Sequence, residues 1–240
     1  MPPRHLVARE RHVALTAPSV AGRVKVDGPG WMWIAGAGGA VHVTGQCGPR
    51  GPRTVVVDDV PRIDLGTPVT IDLVTADVAG RMPPPEPGPR DLTLALCGLL
   101  RPHLWNDPAT LALAREPFAG VLPRIIGRGP GLTPAADDAV CGYLAARFVV
   151  SPPAAARDAA LVAGHLDRTT EPSRSLLRAA ADHGAAYAAA EAVLGVLVSG
   201  DGTAIAPALR GLLELGRTTG RAILTGLVCG LTAAPGTTDR

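Results

Sequence analysis

Residues 80–90 read GRMPPPEPGPR. Five prolines in eleven positions remove backbone donors and fix φ, so the stretch can be neither a helix nor an internal strand. It reads as a stiff connection, and the hydrophobic pattern changes across it. Before it, short runs bounded by Gly, Pro or Asp are rich in Val, Ile and Thr: HVALT (12–16), VAGRVKV (20–26), WMWIA (31–35), AVHVT (40–44), RTVVVDDV (53–60) and PVTIDLV (68–74). Such runs predict strands joined by tight turns, with DGPG (27–30) and AGAGG (35–39) as hairpin connections.

Beyond the connection, Ala dominates and Leu and Val recur at helical intervals. Helices are expected at about 91–101, 107–115, 134–149, 153–166, 173–198, 203–215 and 219–232. The expected fold class is α+β, a small antiparallel β sandwich or barrel followed by a helical bundle. The expected domains are a β-rich domain over 1–80, a Pro-rich connection over 81–90 and a helical domain over 91–233.

Composition supports a globular chain. Of 240 residues, 47% are apolar, only 3% are aromatic, and there are 29 glycines and 24 prolines, so packing must rest on small residues and close backbone approach. The net charge of +2 is too even to argue for nucleic acid, and no basic tract or aromatic platform is present. Cys47, Cys97, Cys141 and Cys229 form no CxxC pair, which argues against structural zinc and for free buried thiols in a reducing compartment. No signal-peptide h-region and no uncharged apolar run of 18 residues is present, so the expectation is a cytoplasmic protein with no membrane partner.

The richest segment for chemistry is GRGPGLTPAADDAVCGYLAARFVV (127–150). Gly127, Gly129 and Gly131 free the backbone to turn, Thr133 is a suitable N-cap, and Pro134 fits a first helical position. Free amides at that helix start, with Arg128 beside them, predict a pocket for phosphate or carboxylate. Asp137 and Asp138 fall in the first turn, where an acid can complement the dipole, face the pocket or hold Mg²⁺ against the anion. Asp138 is the candidate for that ion.

A second loop-to-helix transition, GRTTGRAILTGLVCGL (216–231), offers Thr218 or Thr219 as a cap, Gly220 for close approach, and Arg217 and Arg221 as flanking charge. Gly226 and Gly230 share a face with Ala222, a seam suited to another helix. Between the two motifs, Thr169, Thr170, Ser173 and Ser175 precede or open a helix that Ser173 can cap, and they can form a third rim. No histidine spacing matches a metal site or pairs with a nucleophile.

The pattern GxGxGLTPxxDD followed by GYLAA, over residues 127–146, resembles the DUF2877 family, which includes the smallest subunit of oxamate carbamoyltransferase. Family members carry GLTPSGDD and a distal GxSSG; here Ala135 and Ala136 replace Ser-Gly, and Thr218 and Thr219 replace the serines. The resemblance implies a small anionic substrate of the oxamate and carbamoyl phosphate class, and association with larger subunits or with further copies of the chain. Two roles stay open, a carbamoyltransferase-like subunit and a non-catalytic anion-binding or assembly subunit. The implied catalytic residues are Asp137, Asp138 and Arg217. The implied substrate-binding residues are Arg128, Gly129, Gly131, Thr133, Thr218, Thr219, Gly220 and Arg221.

Overall fold

The structure, a computed structural model, describes residues 3–12, 15, 17–79 and 86–233. It divides into two compact units, Met1–Arg81 and Met82–Arg240. Most of the HVALT run and most of the Pro-rich connection lie outside the described residues.

The first unit is a curled, half-barrel sheet. Its strands are β1 (Arg4–Val7), β2 (Glu10–His12), β3 (Ser19–Gly28), β4 (Trp31–Gly36), β5 (Gly39–Thr44), β6 (Thr54–Val56), β7 (Pro68–Asp72) and β8 (Asp77–Ala79). They lie in the order β1-β7-β3-β4-β5-β6-β2-β8. Both expected hairpins form: Gly28 pairs with Trp31 across Pro29 and Gly30, and Gly36 pairs with Gly39 across Ala37 and Gly38.

The sheet is mixed where strand pattern alone suggested an antiparallel one. β1 and β7, β5 and β6, and β2 and β8 run parallel. Side-chain alternation reports a strand and its buried face but not its direction. The long excursion from β5 to β6 returns the chain in the same sense, which a two-residue hairpin cannot do. Val24, Met32, Ile34, Val41, Val43, Val55 and Ile71 fill one face. On the other, His42 sits against Trp33, with ring centroids 5.0 Å apart, and burial lowers its pKa to about 4.

The second unit is helical: α1 (Arg90–Leu99), α2 (Pro108–Leu111), α3 (Phe118–Ile125), α4 (Ala135–Val150), α5 (Pro152–Ala163), α6 (Glu171–His183), α7 (Ala188–Ser199), α8 (Ile205–Leu213) and α9 (Thr219–Thr232). Two corrections to the sequence reading stand out. The single helix expected over 173–198 is broken at Gly184, which takes φ 59° and donates its amide to the Ala180 carbonyl, a left-handed helix stop. Helix α3 was hidden by Gly120 and by prolines at 117 and 123, yet Phe118, Val121, Leu122 and Ile125 recur at helical spacing and are all buried.

Helices α4 and α9 form the centre. Every residue from Ala135 through Arg147 is buried, as are Ala222 through Leu231. Their mutual approach requires glycine. A Cβ on Gly226 would lie 1.9 Å from the Ala139 carbonyl oxygen, and one on Gly142 would lie 2.2 Å from that of Ile223. The small-residue seam read on α9 is thus the contact line with α4, and it sets how the two polar motifs meet.

Candidate functional site

The start of α4 is built differently from the sequence expectation. Thr133 does not cap it. The helix begins at Ala135, and the preceding loop closes it, with the Ala136 amide donating to the Arg128 carbonyl at 3.1 Å. The amides of Asp137 and Asp138 both reach the Pro134 carbonyl, at 2.9 and 3.1 Å. This leaves Thr133 free to turn its hydroxyl toward Asp138 Oδ2, 3.4 Å away. The same logic applies to α6: Thr170, not Ser173, is its cap, accepting from the Ser173 amide at 3.2 Å.

The two adjacent acids have separate fates. Asp137 is fully buried and accepts from three groups. The Gly127 amide reaches Oδ1 at 2.7 Å, the Ser173 hydroxyl reaches Oδ2 at 2.6 Å, and the Thr169 hydroxyl also donates to Oδ2. One carboxylate therefore ties the beginning of the glycine loop to the start of α6. Thr170 strengthens the tie by donating to the Leu132 carbonyl. The Thr169–Ser173 rim does join the loop, and it does so through Asp137. Burial raises the Asp137 pKa, and the bonds from Ser173, Thr169 and Gly127 pull it back.

Asp138 faces the other way, toward α9. It is 1% exposed and receives hydroxyl bonds from Thr219 and Thr133. Thus residues 86 positions apart in sequence, one in each glycine-containing motif, meet at a single buried carboxyl. The stretch that contains both motifs has a counterpart among known families. Residues 125–231 match the family of the oxamate carbamoyltransferase subunit AllH.

The AllH match runs from the end of α3 to the last turn of α9. It takes in the loop, both motifs and the α6 rim, and spans a little under half of the chain. The comparisons with curated proteins and with solved structures returned no match.

Around Asp138, the loop is open to solvent. Gly129 and Gly131 hold φ 117° and 98°, and Arg128 through Leu132 are exposed. Among the described residues, the amides of Gly129, Gly131, Leu132 and Thr133 find no acceptor. Arg128, Arg217 and Arg221 are exposed and, among the described residues, make no ion pair. Thr218 precedes α9 without a side-chain cap bond. Gly220 is buried: its amide donates to the Leu215 carbonyl at 2.9 Å, and a Cβ there would meet the Leu212 carbonyl oxygen at 1.9 Å. It packs the start of α9 on the end of α8.

Electrostatically, burial pushes Asp138 well above the usual carboxylate range. The Thr219 hydroxyl opposes that shift, the Asp137 charge adds to it, and Thr133 opposes it again. Asp138 in turn raises the neighbouring Cys141 thiol and Tyr187 phenol, both already raised by burial. Tyr187, partly buried, is a neighbour of Asp138 that motif reading missed, since nothing in its local sequence marks it. The donors do not suit magnesium. Two hydroxyls direct protons at Asp138, Asp137 already accepts three hydrogen bonds, and among the described residues no cluster of three His, Cys, Asp or Glu could hold a metal. No described helix is long and apolar enough to cross a membrane.

Proposed function

We propose that the helical unit is a carbamoyltransferase-like subunit whose glycine loop receives the phosphate or carboxylate of a small substrate of the oxamate and carbamoyl phosphate class. The observation that carries this reading is the meeting of Thr133 and Thr219 at buried Asp138. Four unpaired amides along the exposed loop supply donors for an anion, and Arg128, Arg217 and Arg221 add positive charge.

The chemistry follows from hydrogen-bond direction. A Thr219 hydroxyl that donates to Asp138 presents its lone pairs outward, where they can accept the N–H of a nucleophilic amide. When that nitrogen bonds to the carbamoyl carbon and the carbon–oxygen bond to phosphate breaks, the nitrogen's proton can pass to Thr219 while Thr219 releases its own to Asp138. In its ionised form, a carboxyl whose pKa is raised by burial is a stronger proton acceptor than an ordinary carboxylate. The phosphate leaves onto the loop amides. Asp137 positions the loop and touches no substrate. Partner subunits complete the assembly, in keeping with the subunit family matched.

A second reading, a non-catalytic anion-binding subunit, is favoured by the 1% exposure of Asp138 and by burial of Ala135 and Ala136, which stand where the DUF2877 pattern has Ser-Gly. One set of measurements separates the two. Calorimetry of the chain with phosphate, carbamoyl phosphate and oxamate should show one site, weakened at least about tenfold by Arg128→Ala with Arg221→Ala. Asp138→Asn in the assembled enzyme should abolish carbamoyl transfer. Binding without any effect of Asp138→Asn on turnover would support the second reading. No binding of any of the three anions would sink both.

A further inference from the structure

Far from Asp138, the opposite end of α9 borders an open cleft of about 740 Å³. Val228, Cys229 and Thr232 of α9 lie beneath it, α1 contributes Leu94, and Leu104 and Leu111 add apolar surface. Its volume falls in the range of small-molecule sites, roughly 300–1,000 Å³. Leu94 is 42% exposed, so the cleft holds apolar surface that the bundle itself does not cover.

Its polar groups carry one sign of charge. Arg101 and Arg115 both line it, joined by Asn106. Among the described residues neither guanidinium has a carboxylate partner; Glu116, next to Arg115, pairs with Arg124 instead. Burial pushes the Cys229 thiol up to about 12 against the opposing charge of Arg115, which places that charge over the α9 side of the cleft. Two guanidiniums without a carboxylate partner, on the lining of one partly apolar cleft, suit an anion. Guanidinium favours a carboxylate, which it can grip in a fork.

We propose that this cleft binds a small organic carboxylate with an apolar body, its charge held by Arg101 and Arg115 and its hydrocarbon laid along Leu94, Leu104, Leu111 and Val228. The site is separate from Asp138, so it stands or falls independently of the function proposed above.

Calorimetry of the full chain with octanoate, 1-octanol and octylamine tests it. Octanoate should bind with one-to-one stoichiometry, and the uncharged and cationic analogues about tenfold more weakly or less. Arg101→Ala with Arg115→Ala, both at exposed positions, should lower octanoate affinity by at least about tenfold without loss of helicity, and Asp138→Asn should leave it unchanged. Equal binding of the three amphiphiles, or unchanged octanoate affinity in the double arginine variant, overturns the proposal. So does light scattering that shows a dimer dispersed by Leu94→Glu, because the cleft would then be a contact between copies of the chain.

Discussion

The two ends of α9 lie within one helix of fourteen residues, yet they meet opposite surroundings. At the N-terminal end, Thr219 donates to a buried carboxyl that Thr133 also reaches, beneath a loop braced by Asp137. At the C-terminal end, Val228, Cys229 and Thr232 border an open cleft with two guanidiniums and no carboxylate. The difference arises from what lies between. The Gly226 and Gly142 contacts seat α9 on α4 at backbone distance, and this contact fixes Thr219 over Asp138, while the last turns of α9 also border Leu94 of α1 and the segment carrying Arg101 and Arg115. Polar precision at one end depends on small residues in the middle.

The strongest way to break the contrast is therefore Gly226→Ala. The added methyl would sit 1.9 Å from the Ala139 carbonyl oxygen and 2.7 Å from the Tyr143 nitrogen, both backbone atoms that cannot step aside. The helices must part, at an expected cost of about 3 kcal/mol or more in urea unfolding. A loss below about 1 kcal/mol would show that the seam is looser than its geometry. Asp137→Ala comes next. It strands the Gly127 amide and the Ser173 and Thr169 hydroxyls, and should cost about 2–4 kcal/mol, with amide exchange rising first over residues 127–134.

Asp138→Asn should produce a smaller effect, and one with a sign. Burial raises the carboxyl's pKa in the folded chain above its unfolded value of about 3.9, so the folded state holds the proton more tightly. The stability this contributes is complete below the unfolded pKa and is lost as pH rises through the folded one. Asn does not ionise. The stability of Asp138→Asn relative to the natural chain should therefore rise as pH climbs from about 4 toward the folded pKa, with a slope no steeper than about 1.4 kcal/mol per pH unit, the limit for one proton. A flat or falling difference would place a compensating positive charge against Asp138 and remove its role as proton acceptor.

These residues also mark what could be read before the fold was known. The change of period at the Pro-rich stretch was legible, because alternation and helical spacing are local. So were the α9 seam and the presence of two loop-to-helix motifs. Strand direction was not legible, since β5 and β6 look alike whether parallel or not. Helix capping was misread at Thr133 and Ser173 for one shared reason. A hydroxyl near a helix start has two suitors, the local amides and any buried carboxylate, and here Asp138 and Asp137 draw those hydroxyls away. The division of labour between the acids depends on what lies about 100° apart around α4, which only the packed bundle supplies. The cleft escaped notice because Arg101, Arg115 and Thr232 share no motif.

The finest test of the contrast uses Thr225, midway between the two ends. Its fully buried hydroxyl donates to the Arg221 carbonyl at 2.9 Å and accepts from the Trp105 amide at 2.8 Å. It thereby holds the segment carrying Leu104 and Asn106, two residues of the cleft. Thr225→Val keeps the shape and removes the acceptor, so the Trp105 amide loses its partner at an expected cost of about 1 kcal/mol. If the α4 seam insulates the ends, the consequences stay on one side. Emission from Trp105 should shift and octanoate should bind more weakly, while phosphate binding at the loop stays unchanged. Equal weakening of both ligands would mean that α9 transmits a local loss along its whole length, and the two ends would then be one coupled site.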